Sequence, residues 1–397
     1  MISEQGKPHV DWFLRIAVPS FALPLSLLFN MSIQQSKVPS QWKISSITPV
    51  PKIAKPLSCH EYRPISVTPI LSRLMEKEVV RSFLYPVFVH PNHTHLFNDQ
   101  FAFRPTGSTS AALIYLFHHL TGLLQTNEYV HLIAFDFSKA FDTVRHSSLI
   151  SKLADLSLPD NVFHWLADYL SERKHQTKFN GNTSTLQSIN ASIIQGSALG
   201  PTAYVCNASD LHPSEPNNLL FKYADDTYLI VPSVNSQFIH IELSHVASWA
   251  SQNSLKLNKN KSLEMIVHSA HRKLTSSPPC LPEVSRVESM GILGVQVNHV
   301  LSFDLHVRAL EAKAARSMYA LKTIKEHGLV GNSLWDVARA TLVSQLQYAS
   351  PPWSGFLSAA DCSRLQAILN KAERYGFLPK HSPLINDLFQ SADQSPF

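Results

Sequence analysis

The chain has 397 residues, of which 44% are hydrophobic, and 34 lysines and arginines against 29 acidic residues give a net charge of +5. This composition suits a folded protein of two or three domains and excludes wholesale disorder. The small positive charge is compatible with a nucleic-acid partner but does not identify one. The cysteines are scattered and lack zinc-ligand spacing: Cys59, Cys206, Cys280 and Cys362. We expect them to be mostly buried apolar side chains in a reducing compartment.

The first part of the chain is predicted to contain helices separated by one extended segment. A helix is predicted over residues 24–33, within an apolar stretch that prolines interrupt and that is too short to cross a membrane. Because the start of the chain also lacks a signal-peptide pattern, we expect a soluble, intracellular protein. The proline-punctuated residues 47–52 predict a strand and a loop. Apolar periodicity predicts helices over residues 70–85 and 109–124.

The middle of the chain is predicted to be rich in strands. Residues 132–135 form a short apolar run of the kind that makes a buried strand. Asn180-Gly181 between two extended segments predicts a hairpin. Strands over 219–223 and 227–231 are separated by only three residues, which predicts a second tight hairpin with two carboxylates at its tip. Helices are also predicted in this part of the chain: 147–156, 161–172 and 238–250.

The C-terminal part of the chain is predicted to be helical. One apolar stripe follows the first helix of this part, which Gly328 is placed to end. The stripe consists of Val307, Leu310, Ala314, Leu321 and Ile324. Two more helices are predicted over residues 333–348 and 359–375.

Three carboxylates are predicted to meet at one edge of a sheet. Asp136 follows the buried strand, and Asp225 and Asp226 lie at the tip of the second hairpin. Adjacent strands lie about 4.8 Å apart, so such strand ends can supply oxygen ligands to one pair of Mg²⁺ ions. Nucleotidyl transfer can use two divalent ions about 3.5–4 Å apart. Taken alone, an Asp-Asp turn is equally well an ordinary solvated hairpin tip, because aspartate favours turns.

The blocks around these carboxylates are similar to those of a known family. Residues 135–142, Phe-Asp-Phe-Ser-Lys-Ala-Phe-Asp, resemble the block with the first catalytic aspartate of reverse transcriptases. Residues 195–201 resemble the loop under the incoming nucleotide and template, and residues 223–227 resemble the paired-aspartate hairpin. The blocks follow the family's order over about residues 35–300. The forms of residues 62–66 and 138–142 resemble jockey-like non-LTR retrotransposons rather than retroviruses.

The resemblance implies an α+β, right-hand polymerase fold with fingers, a palm with an antiparallel sheet and flanking helices, and a helical thumb. The implied division is an N-terminal helical extension over 1–34, a reverse transcriptase domain over 35–298, and a thumb and C-terminal segment over 299–397. Within the middle domain, fingers are expected over about 35–128 and palm over about 129–298. The implied activity is RNA-directed DNA polymerisation with two Mg²⁺ ions, or Mn²⁺ instead, using an RNA template, a DNA primer and dNTPs. The family also implies a nuclear location.

Roles for the catalytic residues follow from the same resemblance. Asp136 and Asp225 are expected to bind both metal ions, with Asp226 as a less indispensable third carboxylate. Lys261 is the candidate that protonates pyrophosphate, and Lys259 is its competitor.

Five residues are candidates for binding the nucleotide: Lys52, Arg63, Phe141, Gln195 and Gly196. The two cations suit the triphosphate, because lysine is a point charge for phosphate and arginine offers a fork. The ring of Phe141 occupies the position where a bulky side chain excludes a ribose 2′-hydroxyl. Glycine at 196 is expected to let the backbone approach the substrate closely. Asp142 is interpreted as a structural residue that caps a helix or turn.

A second set is predicted to contact nucleic acid: Arg104, Leu293, Gly294, Arg308, Lys313 and Arg316. Arg104 lies in a block similar to the template side of the fingers, whose Phe101 and Phe103 are interpreted as core. Leu293-Gly294 resembles the primer-grip turn. The other three give a basic character to the first thumb helix, although a charged helix face is usually just solvated.

Departures from the family pattern favour a diverged or decaying copy. The family usually has Gly-Val-Pro before Gln195, where this chain has Ser-Ile-Ile at 192–194, and Ala102 stands where glycine is common. The alternatives are a catalytically decayed nucleic-acid-binding remnant and a group II intron-type reverse transcriptase; Phe141 disfavours a viral RNA polymerase. The sequence contains no endonuclease block, so we expect this chain to extend a supplied primer without nicking target DNA.

Overall fold

The helices and strands of the chain are seen in a computed structural model, which describes residues 10–394 except Lys139, Lys273 and Glu283, with side chains from residue 19 onward. The α-helices are α1 (Val10–Gln34), α2 (Ile70–Val79), α3 (Tyr85–Val89), α4 (Thr94–Phe97), α5 (Thr109–Thr126), α6 (Ala140–Thr143), α7 (His146–Ala154), α8 (Asp160–Leu170), α9 (Gly200–Asn207), α10 (Ile239–Gln252), α11 (Asp304–Glu326), α12 (Gly331–Ala338), α13 (Ser344–Gln347), α14 (Pro351–Ser354), α15 (Ala359–Arg374) and α16 (Ile385–Gln394). The strands are β1 (Ile44–Pro51), β2 (Tyr62–Val67), β3 (Tyr129–Phe135), β4 (Phe137–Ser138), β5 (Arg173–Phe179), β6 (Asn182–Thr183), β7 (Gln187–Ile189), β8 (Leu219–Tyr223), β9 (Asp226–Pro232), β10 (Lys256–Leu257), β11 (Leu263–His268), β12 (Ser285–Arg286), β13 (Ser289–Ile292) and β14 (Val295–Asn298).

Most of the predicted elements are confirmed, and the α+β class with them. The helix predicted over 24–33 is the second half of the longer α1. The helices predicted over 70–85 and 333–348 are each interrupted by a π-helical turn, Val80–Leu84 and Arg339–Val343. The sequence interpretation missed α9, β11 and α16.

The described residues divide into two units, and the first consists of residues 10–97 and 140–209. In its sheet, β1 lies between β2, which is antiparallel to it, and β5, which is parallel to it. The predicted Asn180-Gly181 hairpin is confirmed, because both residues have positive φ, +49° and +79°, and join β5 to β6. Positive φ at both turn residues matches the right-handed twist of the two strands.

A buried polar cluster fixes one loop of this unit to its helices. The carboxylate of Glu76 on α2 is fully buried and accepts hydrogen bonds from the backbone N–H groups of Ala198, at 2.8 Å, and Leu199, at 3.2 Å. The guanidinium of Arg173 lies 4.4 Å from the centre of the Tyr169 ring. Burial, and then the charge of Glu76, raise the pKa of the Tyr169 hydroxyl. A buried carboxylate with two backbone donors holds the turn that begins α9 in one conformation.

The second unit consists of residues 98–138 and 210–394 and contains the central sheet. The strand order is β12-β11-β3-β9-β8, and every pairing is antiparallel except that of β11 with β12. The inner strands are apolar because the sheet is covered, and Leu132, Ile133, Leu229 and Ile230 are fully buried. The predicted antiparallel sheet is therefore confirmed.

The C-terminal helices pack on the same core as the sheet of this unit. The predicted stripe of α11 is confirmed for Val307, Leu310, Ala314 and Leu321, which are buried together with Met318. Ile324 is only half-buried, so the stripe ends one turn earlier than predicted. Gly328, with φ +95°, follows the end of α11 as expected of a residue that ends a helix.

The exposure of the cysteines differs from the prediction. The four cysteines are free of disulfides, but only Cys206 is buried, and Cys59 and Cys280 are exposed. The prediction of mostly buried cysteines is therefore wrong, because these two lie in surface segments rather than in the core. None of the described helices combines the length and apolar character that crossing a membrane requires.

The first prediction concerns Ser192, whose φ of +87° lies in a region that favours glycine. A left-handed conformation costs an L-residue about 1–2 kcal/mol, and the greater backbone entropy of unfolded glycine offsets about 0.5–1 kcal/mol of the gain. Ser192→Gly should therefore raise the free energy of unfolding by ~0.5–1 kcal/mol in urea denaturation. Ser188→Gly, in the extended strand β7, is the matched control and should be destabilising. Destabilisation by Ser192→Gly would show that the serine hydroxyl contributes more than the backbone costs.

Candidate active site

Asp136 lies directly after β3, at the end of the central sheet where the pairing of β3 with β9 stops. The last pair between β3 and β9 is Phe135 with Thr227, so Asp136 and Asp226 each stand one position beyond it. Two neighbours fix the backbone of Asp136: its N–H donates to the hydroxyl of Ser262 at 3.3 Å, and its carbonyl accepts from the N–H of Asn258 at 2.7 Å. Sequence reasoning missed both neighbours, because a serine or an asparagine in a loop gives no signal of its own.

Asp225 and Asp226 lie at the predicted hairpin between β8 and β9. Tyr223 pairs with Asp226, which leaves Ala224 and Asp225 as the two turn residues. Ala224 has φ +57° and is almost fully buried, whereas Asp225 is half-buried and Asp226 is exposed on one side. The predicted hairpin with two carboxylates at its tip is confirmed.

Burial and neighbouring carboxylates raise the pKa values of Asp225 and Asp226. Burial, opposed by a backbone hydrogen bond, raises the pKa of Asp225, and the charge of Asp136 raises it further. For Asp226, partial burial and then the charges of Asp225 and Asp136 raise the pKa to about 6. The charge of Asp136 therefore acts on both turn carboxylates, which are partly desolvated.

The chemistry of these residues fits a divalent cation, although they do not form a ready-made cage. No group of three or more His, Cys, Asp or Glu side chains among the described residues is arranged to hold a metal ion. The three groups are oxygen ligands, which hard cations such as Mg²⁺ prefer. Their mutual repulsion would be relieved by positive charge, since an opposite charge favours the ionised form of a carboxylate.

A pH-dependent prediction follows from Asp226. Its pKa is raised from 3.8 to about 6, so the folded protein keeps a proton that the unfolded chain loses between these pH values. Stability therefore falls as pH rises through this window. Without metal, in EDTA, Asp226→Asn should match the wild type near pH 4 and be more stable than it at pH 7. Urea unfolding at several pH values measures the free energy of unfolding of both proteins. The same pH dependence in both would contradict the raised pKa of Asp226.

The predicted pyrophosphate lysines lie on the turn that follows β10. This turn contains the same Asn258 that contacts Asp136, and the backbone N–H of Lys261 donates to the Asn258 carbonyl at 3.1 Å. Lys259 and Lys261 are both exposed. The structure therefore brings this turn to the end of β3, where the predicted role needs it, and leaves the choice between the two lysines open.

The nucleotide-binding candidates lie in the first unit. Arg63 is exposed on β2, opposite Val50 of β1. Lys52 follows β1, and its ammonium donates to the carbonyl of His60 at 2.8 Å across the hairpin. Both cations thus belong to one two-stranded arm, formed by β1 and β2.

Gln195 and Gly196 form a loop that is attached to the same arm. The N–H of Ser66 on β2 donates to the Gln195 carbonyl at 2.7 Å. Gly196 has φ +111°, and a Cβ there would lie 2.4 Å from the Ser66 carbonyl oxygen. The nearby backbone of β2 therefore requires glycine at 196, and the predicted close approach of this residue to a substrate stays a prediction.

Asp142 and Phe141 both contact residues of the region around this loop. The interpretation of Asp142 as a cap is wrong: it lies within α6, and its carboxylate accepts a hydrogen bond from the side-chain amide of Gln195 at 2.7 Å. Phe141 is half-buried, and its ring stacks on that of Tyr204 with centroids 4.7 Å apart. Tyr204 lies on α9, which sequence reasoning missed.

The predicted template and primer contacts lie in the second unit. Arg104 is half-buried, and its guanidinium donates to the Gln100 carbonyl at 3.0 Å. Part of its hydrogen-bonding capacity is therefore used within the protein. Phe103 is 42% exposed with φ +54°, so its interpretation as core is wrong; a left-handed residue turns the chain outward here. The predicted turn at Leu293-Gly294 is confirmed and joins β13 to β14.

The three cations of α11 differ in their surroundings. Arg308 forms an ion pair with Asp304 at 2.9 Å, one turn away on the same helix. Lys313 and Arg316 are exposed, and neither has an ion-pair partner within the described part of the chain. The charges of Lys313 and Arg316 are therefore more available than that of Arg308.

A comparison with protein families matches residues 50–297 to the reverse transcriptase (RNA-dependent DNA polymerase) family. This match covers more than half of the chain, which therefore belongs to the reverse transcriptase family. Membership assigns it the right-hand polymerase fold that the sequence predicted. Proteins of this family generally use divalent metal ions.

Related proteins define the branch of the family. The chain is 27% identical to a probable RNA-directed DNA polymerase from transposon BS of Drosophila melanogaster, over 89% of this chain and 40% of that protein. It is 27% identical to the RNA-directed DNA polymerase from mobile element jockey of the same organism, over 75% of this chain and 34% of that protein. The predicted resemblance to jockey-like elements is confirmed, and the chain spans about two fifths or less of these relatives.

Solved structures of other polymerases are also similar. Apo telomerase from Candida tropicalis has a TM-score of 0.49 at 12% identity, over 95% of this chain and 63% of that one. The Sicinivirus 3Dpol RNA-dependent RNA polymerase has a TM-score of 0.48 at 15% identity, over 94% of this chain and 71% of that one.

Proposed function

We propose that this chain is an RNA-directed DNA polymerase of a non-LTR retrotransposon, which copies RNA into DNA by two-metal nucleotidyl transfer. The observation that carries the proposal is that Asp136, Asp225 and Asp226 meet at one sheet edge in a member of this family. Its substrates are an RNA template, a DNA primer and dNTPs. Its site of action is inside the cell, and the family resemblance implies the nucleus.

The carboxylates are proposed as the metal ligands. Asp136 and Asp225 bind both ions, and Asp226 contributes the less indispensable third carboxylate. When bound, two Mg²⁺ ions, or Mn²⁺ in their place, activate the primer 3′-hydroxyl and stabilise the leaving pyrophosphate. The hydrogen bonds of Asp136 to Ser262 and Asn258 support this role, because they fix the backbone from which the first carboxylate extends.

The remaining assigned residues bind the substrates or transfer a proton. Lys261, with Lys259 as its competitor, donates a proton to pyrophosphate, and such general acids typically contribute ~10²–10⁴-fold in rate. Lys52 and Arg63 bind the triphosphate, and the loop at Gln195 and Gly196 lies against the sugar and base.

Residues of the second unit are assigned to binding the nucleic acid. Arg104 contacts the template, Leu293 and Gly294 the primer end, and Arg308, Lys313 and Arg316 the phosphate backbone. In domain terms, residues 35–128 act as fingers, 129–298 as palm and 299–397 as thumb, after a helical extension over 1–34.

Extension of a DNA primer on an RNA template by the purified chain is the decisive test. Asp136→Asn and Asp225→Asn should each abolish Mg²⁺-dependent extension, because each removes a metal ligand that the transition state requires. Binding of primer–template, measured by fluorescence anisotropy, should change little. Asp336→Asn, which changes an exposed carboxylate on α12, is the control and should extend primers like the wild type. Wild-type extension by either site variant would refute the assignment of the metal ligands.

A catalytically decayed, nucleic-acid-binding remnant is the second candidate. The conformation of Ser192 favours it, since the family usually has glycine at this position and the chain keeps the positive φ without it. A remnant would bind primer–template in this assay, yet show no metal-dependent extension even with the wild-type chain. A group II intron-type enzyme would extend primers as well, and the similarity to jockey and BS argues against it.

The choice between DNA and RNA synthesis is tested at Phe141. Its ring offers no hydrogen-bonding group to a ribose 2′-hydroxyl, and burying that hydroxyl unpaired would cost ~1–3 kcal/mol. Phe141→Val and Phe141→Ala should therefore raise ribonucleotide incorporation relative to deoxyribonucleotide incorporation, even where total activity falls. Single-turnover kcat/KM values with dNTP and rNTP measure this ratio.

A control variant separates a role of Phe141 in nucleotide discrimination from a role in packing. Phe179→Val changes a partly exposed ring on β5 and should leave the ratio unchanged. Because Phe141 also stacks on Tyr204, its removal can cost stability. Equal loss of activity with both nucleotides would mean that the ring only packs, and the argument for DNA synthesis from Phe141 would fail.

A further inference from the structure

The hairpin that carries Asp225 is fixed from outside the sheet by residues 99–101. β8 is the last strand of the central sheet, and its outer edge pairs in parallel with Gln100. Two backbone hydrogen bonds make this pairing: Lys222 N–H to the Asp99 carbonyl at 2.8 Å, and Phe101 N–H to the Lys222 carbonyl at 2.9 Å. A short segment thus covers the strand edge that leads directly into the turn.

The side chain of Gln100 continues this contact to the turn itself. Its carbonyl Oε1 accepts the N–H of Ala224 at 3.0 Å and the N–H of Ala102 at 2.9 Å, and the residue is only 2% exposed. Because both partners are donors, the amide must present its oxygen to them, which fixes its orientation. One buried acceptor therefore joins the turn to the segment that precedes α5.

Ala224 needs such a contact because of its backbone. Its φ of +57° lies in the left-handed region, which costs an L-residue free energy and which glycine usually occupies in two-residue hairpins. The next residue is Asp225. A turn that relaxed at Ala224 would move the carboxylate that follows.

The segment that carries Gln100 is itself held by a buried ion pair. The ammonium of Lys222 is fully buried, lies 3.0 Å from the Asp99 carboxylate and donates to the Leu211 carbonyl at 2.8 Å. Removing one partner of a buried ion pair is strongly destabilising, because the remaining charge stays buried with less compensation. Gln100 is neutral, so it is the member of this group whose role can be tested without that penalty.

We propose that Gln100 is a positioning residue for the metal site: its amide oxygen holds Ala224 in the left-handed conformation and thereby sets the position of Asp225. This inference rests on the proposed function, since it assumes that Asp225 binds the metal ion. Groups that orient metal ligands typically account for ~10–100-fold in metal affinity. Loss of this contact is thus expected to lower metal affinity as well as activity.

The test measures binding of Mn²⁺ alone to the full chain by electron paramagnetic resonance, without nucleic acid or nucleotide. Gln100→Met keeps the size of the side chain and removes the acceptor, and it should weaken Mn²⁺ binding by ~10-fold or more. Gln345→Met is the matched control, because Gln345 bonds the Ser317 hydroxyl on α11, and it should leave Mn²⁺ affinity unchanged. Thermal unfolding of each variant shows whether it is folded.

A double-mutant cycle separates positioning of the turn from general loss of structure. Glycine adopts positive φ without the cost to alanine, so Gln100→Met should weaken Mn²⁺ binding much less in an Ala224→Gly background. If the losses are additive, or if Gln100→Met alone leaves Mn²⁺ affinity intact, the inference is wrong. Asp225→Asn distinguishes the proposed function: if it binds Mn²⁺ like the wild type, the metal assignment fails and this inference fails with it.

Discussion

The register between β3 and β9 determines where the acidic side chains of the candidate site lie. A strand presents alternate residues to opposite faces, so a slip of one residue would turn Asp136 to the other side of the sheet. The buried side chains on these strands prevent such a slip, because Leu132, Ile133, Leu229 and Ile230 would all exchange faces with it. The chemistry of the site therefore depends on apolar packing beneath it, and on β11, which pairs with the other edge of β3.

In both units, irregular segments near the candidate residues are fixed by polar groups. In the first unit, the loop at Gln195 is held by Ser66 and Asp142, and Glu76 binds the turn that follows it. In the second, the end of β3 is held by Ser262 and Asn258. Backbone N–H and C=O groups that lack a hydrogen-bond partner in a strand or helix thereby gain one elsewhere. Buried loops require such partners.

The sequence predicted regular elements and motif-bearing turns well, and it failed where burial hides a pattern. The hairpin at Asp225 was predictable because two apolar runs flank a three-residue gap. The helix α9 was missed because residues 200 and 202–207 are all buried, which leaves no apolar stripe to recognise. In β11, the charged Glu264 disguised a buried strand, since its partners His131 and Arg286 are distant in sequence. Side-chain contacts such as that of Asp142 with Gln195 need the folded chain.

The π-helical turn between α2 and α3 bears on how the length of this region can vary. Tyr85 N–H donates to the Val80 carbonyl five residues back, so this turn contains one residue more than an ordinary turn of the helix. The extra residue is accommodated locally, with Met75 buried before the turn and Phe88 buried after it. A natural relative that lacks one residue within 80–84 would then keep both flanking faces in phase with the core. Single-residue gaps in this helix are thus compatible with an unchanged fold.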